Sequence, residues 1–113
     1  MQSIAFAAPL LPGKTDTDRE AMRSCADGER KAAHQSSRER HGITREAVWI
    51  QPTPNGDVAV IYLEAEDLAT AFAGLATSQD PFDQWFRETV QECHGIDLTE
   101  NFAPPEQTLD YRR

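Results

Sequence analysis

Two aromatic residues on neighbouring predicted strands are the first candidates for a ligand site. Trp49 is followed two residues later by Gln51, and Tyr62 is followed two residues later by Glu64. Because alternate residues of a strand lie on one face of a sheet, each ring shares a face with a polar group. Such a set could line a cavity and orient a small planar ligand. Packing in a dimer core is the competing interpretation, which we favour because the interiors of small barrels are normally filled by side chains.

A row of basic residues on a predicted helix is the second candidate. Its members, which are four, four and three residues apart, are Arg30, His34, Arg38 and His41. This spacing places them along one helix face. The row could bind an anionic ligand, or His34 could act as a general base. We favour a solvated face whose arginines pair with Glu29, Glu39 or carboxylates of a partner chain, because a row of exposed charges usually signifies no more than that.

Trp85 is a weaker pocket candidate on a later predicted helix. Glu88 and Glu92 follow it at intervals of three and four residues, so a ring and two carboxylates lie close together on that helix. The competing interpretation is a tryptophan that bridges the helix and the sheet. The sequence does not decide between these two roles.

Sequence motifs for other kinds of chemistry are missing. No spacing of histidines and cysteines within one predicted element matches a metal site, so we expect no metal and no cofactor. The run P-G-K-T at residues 12–15 lacks the glycine spacing of a phosphate-binding loop. Cys93 and His94 are adjacent on a helix and point in different directions, so they do not form a nucleophile–base pair. We expect Cys25 and Cys93 to be reduced core thiols.

The composition favours one acidic globular domain. The chain has 113 residues, of which 39% are hydrophobic and 27% charged, and its formal net charge is -8. This acidity argues against nucleic-acid and anionic-membrane partners, because both require a basic surface. The apolar run at residues 4–11 is too short to span a bilayer and lacks the preceding basic residues of a signal peptide. We therefore expect a cytoplasmic protein.

Residues 45–67 predict a β-hairpin. Two runs rich in β-branched and aromatic residues flank the turn sequence T-P-N-G at residues 53–56. A type I turn with a glycine bulge would place Trp49 opposite Ile61, whereas a two-residue Asn-Gly turn would place it opposite Tyr62. Both registers remain open, with the bulge as the first choice. Neither face of the hairpin is wholly polar, so we expect both faces of the sheet to be covered.

Strand and helix signals lie on both sides of the hairpin. Residues 3–8 predict a short first strand, and residues 15–41 predict a helix with a thin apolar face. After the hairpin, Asp67 begins a second helical segment. This segment is interrupted near residues 77–79 and begins again at Asp80, which a proline follows.

The tripeptide H-G-I occurs at residues 41–43 and 94–96, each time between a helix and a predicted strand. The chain therefore predicts an α+β, ferredoxin-like βαββαβ fold with a four-stranded antiparallel sheet and helices on one face. Residues 96–102 would form the fourth strand. We expect a single domain over residues 1–103 and a C-terminal tail over residues 104–113, which could wrap across a partner or fray.

Several segments resemble the dimeric α/β-barrel superfamily, and the likeness covers roughly residues 3–102. They are E-A-V-W-I-Q-P-T-P-N-G-D, A-V-I-Y-L-E-A-E-D, and P-F-D-Q-W-F with H-G-I behind it. The chain looks most like a group of small bacterial proteins of unassigned function within that superfamily. The resemblance implies two sheets that face each other across a twofold axis and close a barrel. Members include cofactor-independent oxygenases, haem-degrading enzymes and isomerases, but none of their catalytic signatures can be carried over to residues of this chain.

Two functions of different class remain. The favoured one is a non-catalytic homodimeric binding or interaction module, because an apolar sheet face without a cover marks an interface. The alternative is a small-molecule-binding, cofactor-free enzyme of oxygenase or isomerase type. Its pocket would lie between sheet and helices, near Trp49, Tyr62, Glu64 and His34. An enclosed cavity of ligand size would favour the alternative, and a filled barrel would favour the module.

Overall fold

The computed structural model describes residues 1–100 and 103–113, and this part of the chain forms three strands and four helices. In chain order they are β1 (Gln2–Pro9), α1 (Thr15–Asp27), α2 (Lys31–Arg40), β2 (Ile43–Thr53), β3 (Gly56–Ala65), α3 (Leu68–Thr77) and α4 (Pro81–His94). The α+β class predicted from the sequence is confirmed.

The strands form one antiparallel sheet in the order β1-β3-β2, so β3 is central and β1 and β2 are edges. This order is compatible with a ferredoxin-like arrangement. Helices α2 and α3 contact one face of the sheet, which we call the helix side, and α4 packs against α1, α2 and α3. The other face is the open side. Its side chains are Ser3, Ala5 and Ala7 on β1, Arg45, Ala47, Trp49 and Gln51 on β2, and Val58, Val60, Tyr62 and Glu64 on β3.

The hairpin between β2 and β3 has a register that the sequence did not predict. Trp49 lies opposite Val60, whereas the two expected partners were Ile61 and Tyr62. Thr53 pairs with Gly56, so the loop between the strands consists of Pro54 and Asn55 and comes earlier in the chain than either expected turn. The Thr53 hydroxyl accepts a hydrogen bond from the Asn55 backbone N–H and donates one to the Gly56 carbonyl at 2.5 Å. Both expected registers were therefore wrong.

A β-bulge at the start of β2 determines which side chains reach the helix side. Ile43 pairs with Ala65 and Arg45 pairs with Glu64, so Thr44 is the extra residue. Strict alternation would place Ile43 and Glu46 on opposite faces. The bulge instead turns both toward the helices, so Ile43 joins the core and Glu46 faces α2.

The predicted long helix over residues 15–41 is divided into α1 and α2. Gly28 leaves the helical conformation, with φ -122° and ψ -154°. A Cβ at this position would lie 2.8 Å from the Cα of Ser24, so the break depends on the missing side chain. The Arg30 backbone N–H then donates to the Ser24 carbonyl across the break.

The later helices begin and end as the sequence predicts. The Asp67 side chain accepts a hydrogen bond from the Thr70 N–H at the start of α3, and Asp80 accepts one from Phe82 N–H at the start of α4. Gly42 and Gly95 both adopt the left-handed conformation, with φ 71° and 70°. Both H-G-I sequences therefore end a helix in the expected way.

The predicted fourth strand does not form over residues 96–100. The Asp97 side chain accepts hydrogen bonds from both the backbone N–H and the hydroxyl of Thr99, and the Glu100 N–H donates to the Asp97 carbonyl. An aspartate that bonds to its own following backbone favours a turn over a strand. The remainder of the prediction, residues 101–102, lies outside the described residues.

The main hydrophobic core lies between β3 and α3. Its buried members are Ile43, Leu63, Ala65, Ala71 and Leu75, with Ile4, Phe6, Ile61, Leu68 and Phe72 packed around them. All the strand members lie on the helix side. Burial of apolar side chains here holds α3 on the sheet. The open side has no comparable cover among the described residues.

Candidate functional site

Glu46 is at the centre of a buried polar cluster on the helix side. The His34 Nε2–H donates to Glu46 Oε1 at 2.7 Å. Arg38 donates from Nε to the same oxygen at 2.9 Å and from a terminal nitrogen to Oε2 at 3.2 Å. This two-point pairing is the geometry in which a guanidinium binds a carboxylate most strongly. The cluster joins α2 to β2.

The surroundings of Glu46 keep its side chain ionised. Its side chain is 14% exposed and that of Arg38 is 7% exposed. Burial alone would raise the pKa of Glu46, but the His34 hydrogen bond and the Arg38 charge outweigh it and lower the pKa to about 2. A carboxylate with such a pKa is a poor proton acceptor at neutral pH. Glu46 is therefore suited to binding cations and holding α2 in place.

The cluster continues into the interior through Ser37. A terminal nitrogen of Arg38 donates to the Ser37 hydroxyl at 3.0 Å, and that hydroxyl donates to Asp83 Oδ1 at 2.5 Å. His41 Nε2 and Arg40 donate to the other oxygen of Asp83 at 2.9 and 3.2 Å. The Asp83 carboxylate, which is fully buried, therefore connects the end of α2 with the first turn of α4.

Asp83 is also ionised despite its burial. Burial opposes its charge, but the hydrogen bonds from Ser37, Ser78 and His41 hold the pKa of Asp83 well below its usual range. The His41 ring lies directly against Gly74, where a Cβ would overlap the imidazole. A side chain at position 74 on α3 would therefore displace the His41 ring from this place beside Asp83.

Aromatic rings of α4 lie against basic side chains of α2 and of Arg30, the residue before it. The Arg38 guanidinium lies 4.4 Å from the centre of the Phe86 ring, and Arg30 lies 4.0 Å from the centre of the Trp85 ring. The His34 ring meets Phe82 edge to face at 6.0 Å. The Trp85 ring also lies 5.5 Å from the Phe82 ring, so its contacts are with Arg30 and with its own helix, and they match neither of the two interpretations given for it from the sequence.

A groove runs between α1 and β2 beside this cluster. It has two adjoining parts, of about 690 and 410 Å³, which share Met22, Ala26 and Val48. The larger part also contacts His34, Arg38, Glu46 and Phe86, and the smaller part contacts Asp18 and Ile50. We call these residues together the edge groove, because β2 is an edge strand. Its floor is mostly apolar, and it is open to solvent along its length.

Cys25 also lines the larger part of the edge groove. Burial raises the pKa of its thiol, so the thiolate form is scarce at neutral pH. Cys25 and Cys93 are both buried and free, in agreement with the expectation of reduced core thiols. The Cys25 thiol is a poor nucleophile, and Glu46 is a poor base because its pKa is low, so these two residues do not form a nucleophile–base pair.

Asp18 and His94 form a second buried pair at the smaller end of the edge groove. His94 Nδ1–H donates to the Pro9 carbonyl at 3.0 Å, and its Nε2 lies 3.5 Å from Asp18 Oδ1. Burial alone would lower the pKa of His94, but Asp18 and the carbonyl outweigh it and raise the pKa. Asp18 Oδ2 has no hydrogen-bond partner among the described residues.

The open side carries the sheet aromatics. Trp49 is 55% exposed, although it lies in the middle of β2. The Tyr62 hydroxyl donates to Glu64 at 2.7 Å, which raises the pKa of Tyr62, and the Arg45 guanidinium lies 5.3 Å from the centre of the Tyr62 ring. The Gln51 side chain is exposed and donates to the neighbouring Pro52 carbonyl at 3.0 Å. Most of this surface between the strand ends is apolar.

The predicted site residues therefore fall into two groups. The structure brings His34 and Arg38 together on Glu46 and places Trp85 nearby on α4. Arg30 pairs with Glu29 as expected, but the expectation of a solvated face is wrong at Arg38, which is buried against Glu46. It places Trp49, Gln51, Tyr62 and Glu64 on the opposite face of the sheet. The proposed pocket near Trp49, Tyr62, Glu64 and His34 would need groups from both faces, and the sheet lies between them.

Sequence reasoning missed Glu46 and Asp83, which organise the helix-side cluster. A signal for Glu46 existed, because it alternates with Val48 and Ile50 and so occupies an inward position on its strand. A carboxylate at such a position requires a buried partner. Asp83 gave no comparable signal, because acidic residues are common in the first turn of a helix.

None of the helices in the described part of the chain combines the length and apolar character needed to cross a bilayer. No group of three or more histidine, cysteine, aspartate or glutamate side chains there is arranged to hold a metal ion.

The chain was also compared with protein-family models, with curated proteins and with solved structures, and none of them matches it.

Proposed function

We propose that the protein acts as a homodimeric interaction module in which the open sides of two sheets pack against each other. The observation that carries this proposal is the 55% exposure of Trp49 in the middle of a strand. A large aromatic side chain left in solvent at the centre of a sheet is typical of an interface.

The surroundings of Trp49 support the same proposal. Across the sheet, Trp49 is aligned with Val60 and Ala7, and the next row consists of Ala47, Tyr62 and Ala5. Polar residues lie at one end, where Arg45, Glu64 and Ser3 are aligned. An apolar centre with a polar rim is the usual anatomy of a protein interface.

A second copy of the chain is the partner that we favour. Arg45 and Glu64, side by side at the rim, carry opposite charges, so a twofold axis could bring each against its counterpart in the other copy. Such a pairing of sheets is also what the resemblance to the dimeric α/β-barrel superfamily implies. The two free, buried cysteines suit a reducing compartment, and we place the dimer in the cytoplasm.

The alternative enzyme function has weaker support. The groups that could take part in proton transfer are divided between the two faces of the sheet. On the helix side, the Glu46 carboxylate is held ionised by His34 and Arg38. We therefore propose binding without catalysis.

Sedimentation equilibrium of the purified protein over a range of concentrations tests this proposal. We expect the mass of two chains for the wild type and of one chain for Trp49→Gln at the same concentration. The substitution removes an exposed ring, so the folded monomer should persist, as judged by circular dichroism.

Ala73→Gln is the matched control, because it places the same polar side chain at an exposed position of α3. It should leave the mass of the wild type unchanged. A monomeric wild type, or a Trp49→Gln variant that associates as strongly as the wild type, would contradict the proposed interface.

A further inference from the structure

The edge groove has the form of a site for an extended chain. Its two parts follow the helix side of β2 from Ile50 to Ile43, beside α1 and α2. Eight residues of a strand span about 25 Å, which is long for a compact ligand. The floor offers Met22, Ala26 and Val48 in the shared middle section, where apolar side chains could be buried.

The strand beside the groove also has a free edge. Within the described part of the chain, β2 pairs with β3 alone and extends over 11 residues. Its outer edge therefore presents backbone N–H and C=O groups that an added strand could use. Strand addition at such an edge is a common way to bind an extended peptide, with alternate side chains entering pockets.

The chain itself contains a segment of matching chemistry. Residues 104–113, the tail, form no helix or strand, and each of them is exposed. Leu109 is 80% and Tyr111 78% exposed. Being two residues apart, these side chains lie on the same side of an extended backbone. The two prolines that begin the tail favour an extended conformation.

Charge does not oppose contact between the tail and a second copy. The tail contains two acidic residues, Glu106 and Asp110, and two basic residues, Arg112 and Arg113, whose charges cancel. The net charge of -8 therefore lies on the rest of the chain, and it opposes close approach of two bodies. The tail therefore adds no net charge to a contact with another copy.

We infer that the tail of one copy binds in the edge groove of a second copy as an added strand beside β2, with Leu109 and Tyr111 directed into the groove. This inference rests on the proposed homodimer, since it supplies a second contact between the same two chains. The high exposure of both side chains shows that the tail does not fill the groove of its own chain in this structure. Exchanged tails would cover β2 and the groove in both copies.

Photo-crosslinking of the full-length protein tests the inference. Tyr111 is replaced by p-benzoylphenylalanine, and proteins made with ¹⁴N and ¹⁵N are mixed, equilibrated and irradiated. We expect crosslinks of mixed isotope composition to the peptides that contain Met22 or Val48. Crosslinks to other surfaces, or the absence of crosslinks, would overturn the inference. Groove crosslinks confined to single chains would also overturn it and would show that the tail binds its own groove.

Two matched variants sharpen the test. The same photoreactive residue at Thr108, on the opposite side of an extended tail, should give few groove crosslinks. Ala26→Trp fills the shared section of the groove at an exposed position and should remove the Tyr111 crosslinks while the protein stays folded. Groove crosslinks from the Thr108 probe as strong as those from the Tyr111 probe would overturn the inference. Tyr111 crosslinks that are undiminished in Ala26→Trp would also overturn it.

Sedimentation separates this inference from the proposed open-side dimer. The double variant Leu109→Asp and Tyr111→Asp should weaken self-association by roughly tenfold or more, whereas Thr108→Asp should not. A dimer that Trp49→Gln dissociates but the double variant leaves unchanged would overturn the tail contact and retain the open-side interface. Groove crosslinks between chains that persist in Trp49→Gln would retain the tail contact and contradict the open-side interface.

Discussion

The two sides of the sheet differ in how far their polar and aromatic side chains are buried and paired within the chain. On the helix side, Glu46 is paired with His34 and Arg38 and almost closed off from solvent. On the open side, Trp49 is three residues further along the same strand and is 55% exposed. The helix side is a polar network completed within one chain, and the open side is an apolar surface without an internal cover. The difference indicates that the helix side maintains the fold, and it supports our proposal that the open side serves association.

This comparison predicts that substitutions on the helix side alter the stability of the single chain and that those on the open side alter association. The largest effect is expected for Asp83→Asn. The change removes a buried charge and replaces one of the two oxygens that accept from Ser37, His41 and Arg40 with an NH2 donor, so the free energy of unfolding should fall by about 3–5 kcal/mol. Urea denaturation measures the change. Asp27→Asn, at an exposed position, is the control and should change stability by less than about 0.5 kcal/mol.

Glu46→Gln should have the next largest effect, and its size should depend on pH. The pKa of Glu46 in the folded protein is about 2, below the ordinary value of 4.5 for a glutamate, so the stabilisation is present above pH 4.5 and is lost as the pH falls toward 2. This shift corresponds to about 3 kcal/mol at neutral pH. Denaturation of both proteins from pH 7 to pH 2 should show the difference shrinking toward zero. A difference that stays constant over this range would contradict the assigned role of Glu46.

His94→Gln should have a smaller effect of opposite pH dependence. The pKa of His94 is raised in the folded protein, so its stabilisation is fully present below the unfolded pKa and is lost as the pH rises through the folded pKa. We expect a loss of about 1 kcal/mol on the acid side of neutrality and a smaller loss at pH 9. Thermal or urea unfolding at three pH values measures it. A loss that grows with pH would argue against a charged His94 beside Asp18.

The smallest effect on the single chain is expected for Tyr62→Phe on the open side. The lost hydrogen bond to Glu64 is accessible to water, so the free energy of unfolding should change by less than about 0.5 kcal/mol. The measurement belongs at concentrations where the protein is monomeric, so that association does not contribute. A decrease in the free energy of unfolding as large as that for Glu46→Gln would contradict the difference proposed between the two sides.

Features that depend on short stretches of sequence were predicted well. The caps Asp67 and Asp80 and the left-handed glycines Gly42 and Gly95 are local, since each acts on the backbone within a few residues. The faces of β1 also follow the predicted alternation, with Ile4 on the side of the core.

Features that depend on distant contacts could not be read from the sequence. The bulge at Thr44 and the hairpin register are selected by how the whole sheet meets the helices. The partners of Glu46 lie 8 and 12 residues away on another element, and Ser37 and Asp83 are 46 residues apart. The helix break at Gly28 needs the close approach to Ser24, which composition alone does not reveal.

The central claim, that a second copy covers the open side, is tested most directly by the solvent exposure of Trp49. Iodide quenching of fluorescence in Trp85→Phe, where Trp49 is the remaining tryptophan, can be measured at increasing protein concentration. The account predicts strong quenching in the monomer and a marked decrease where sedimentation gives the mass of two chains. Strong quenching at every concentration, including those of the dimer, would show that the open side stays exposed and would contradict the account.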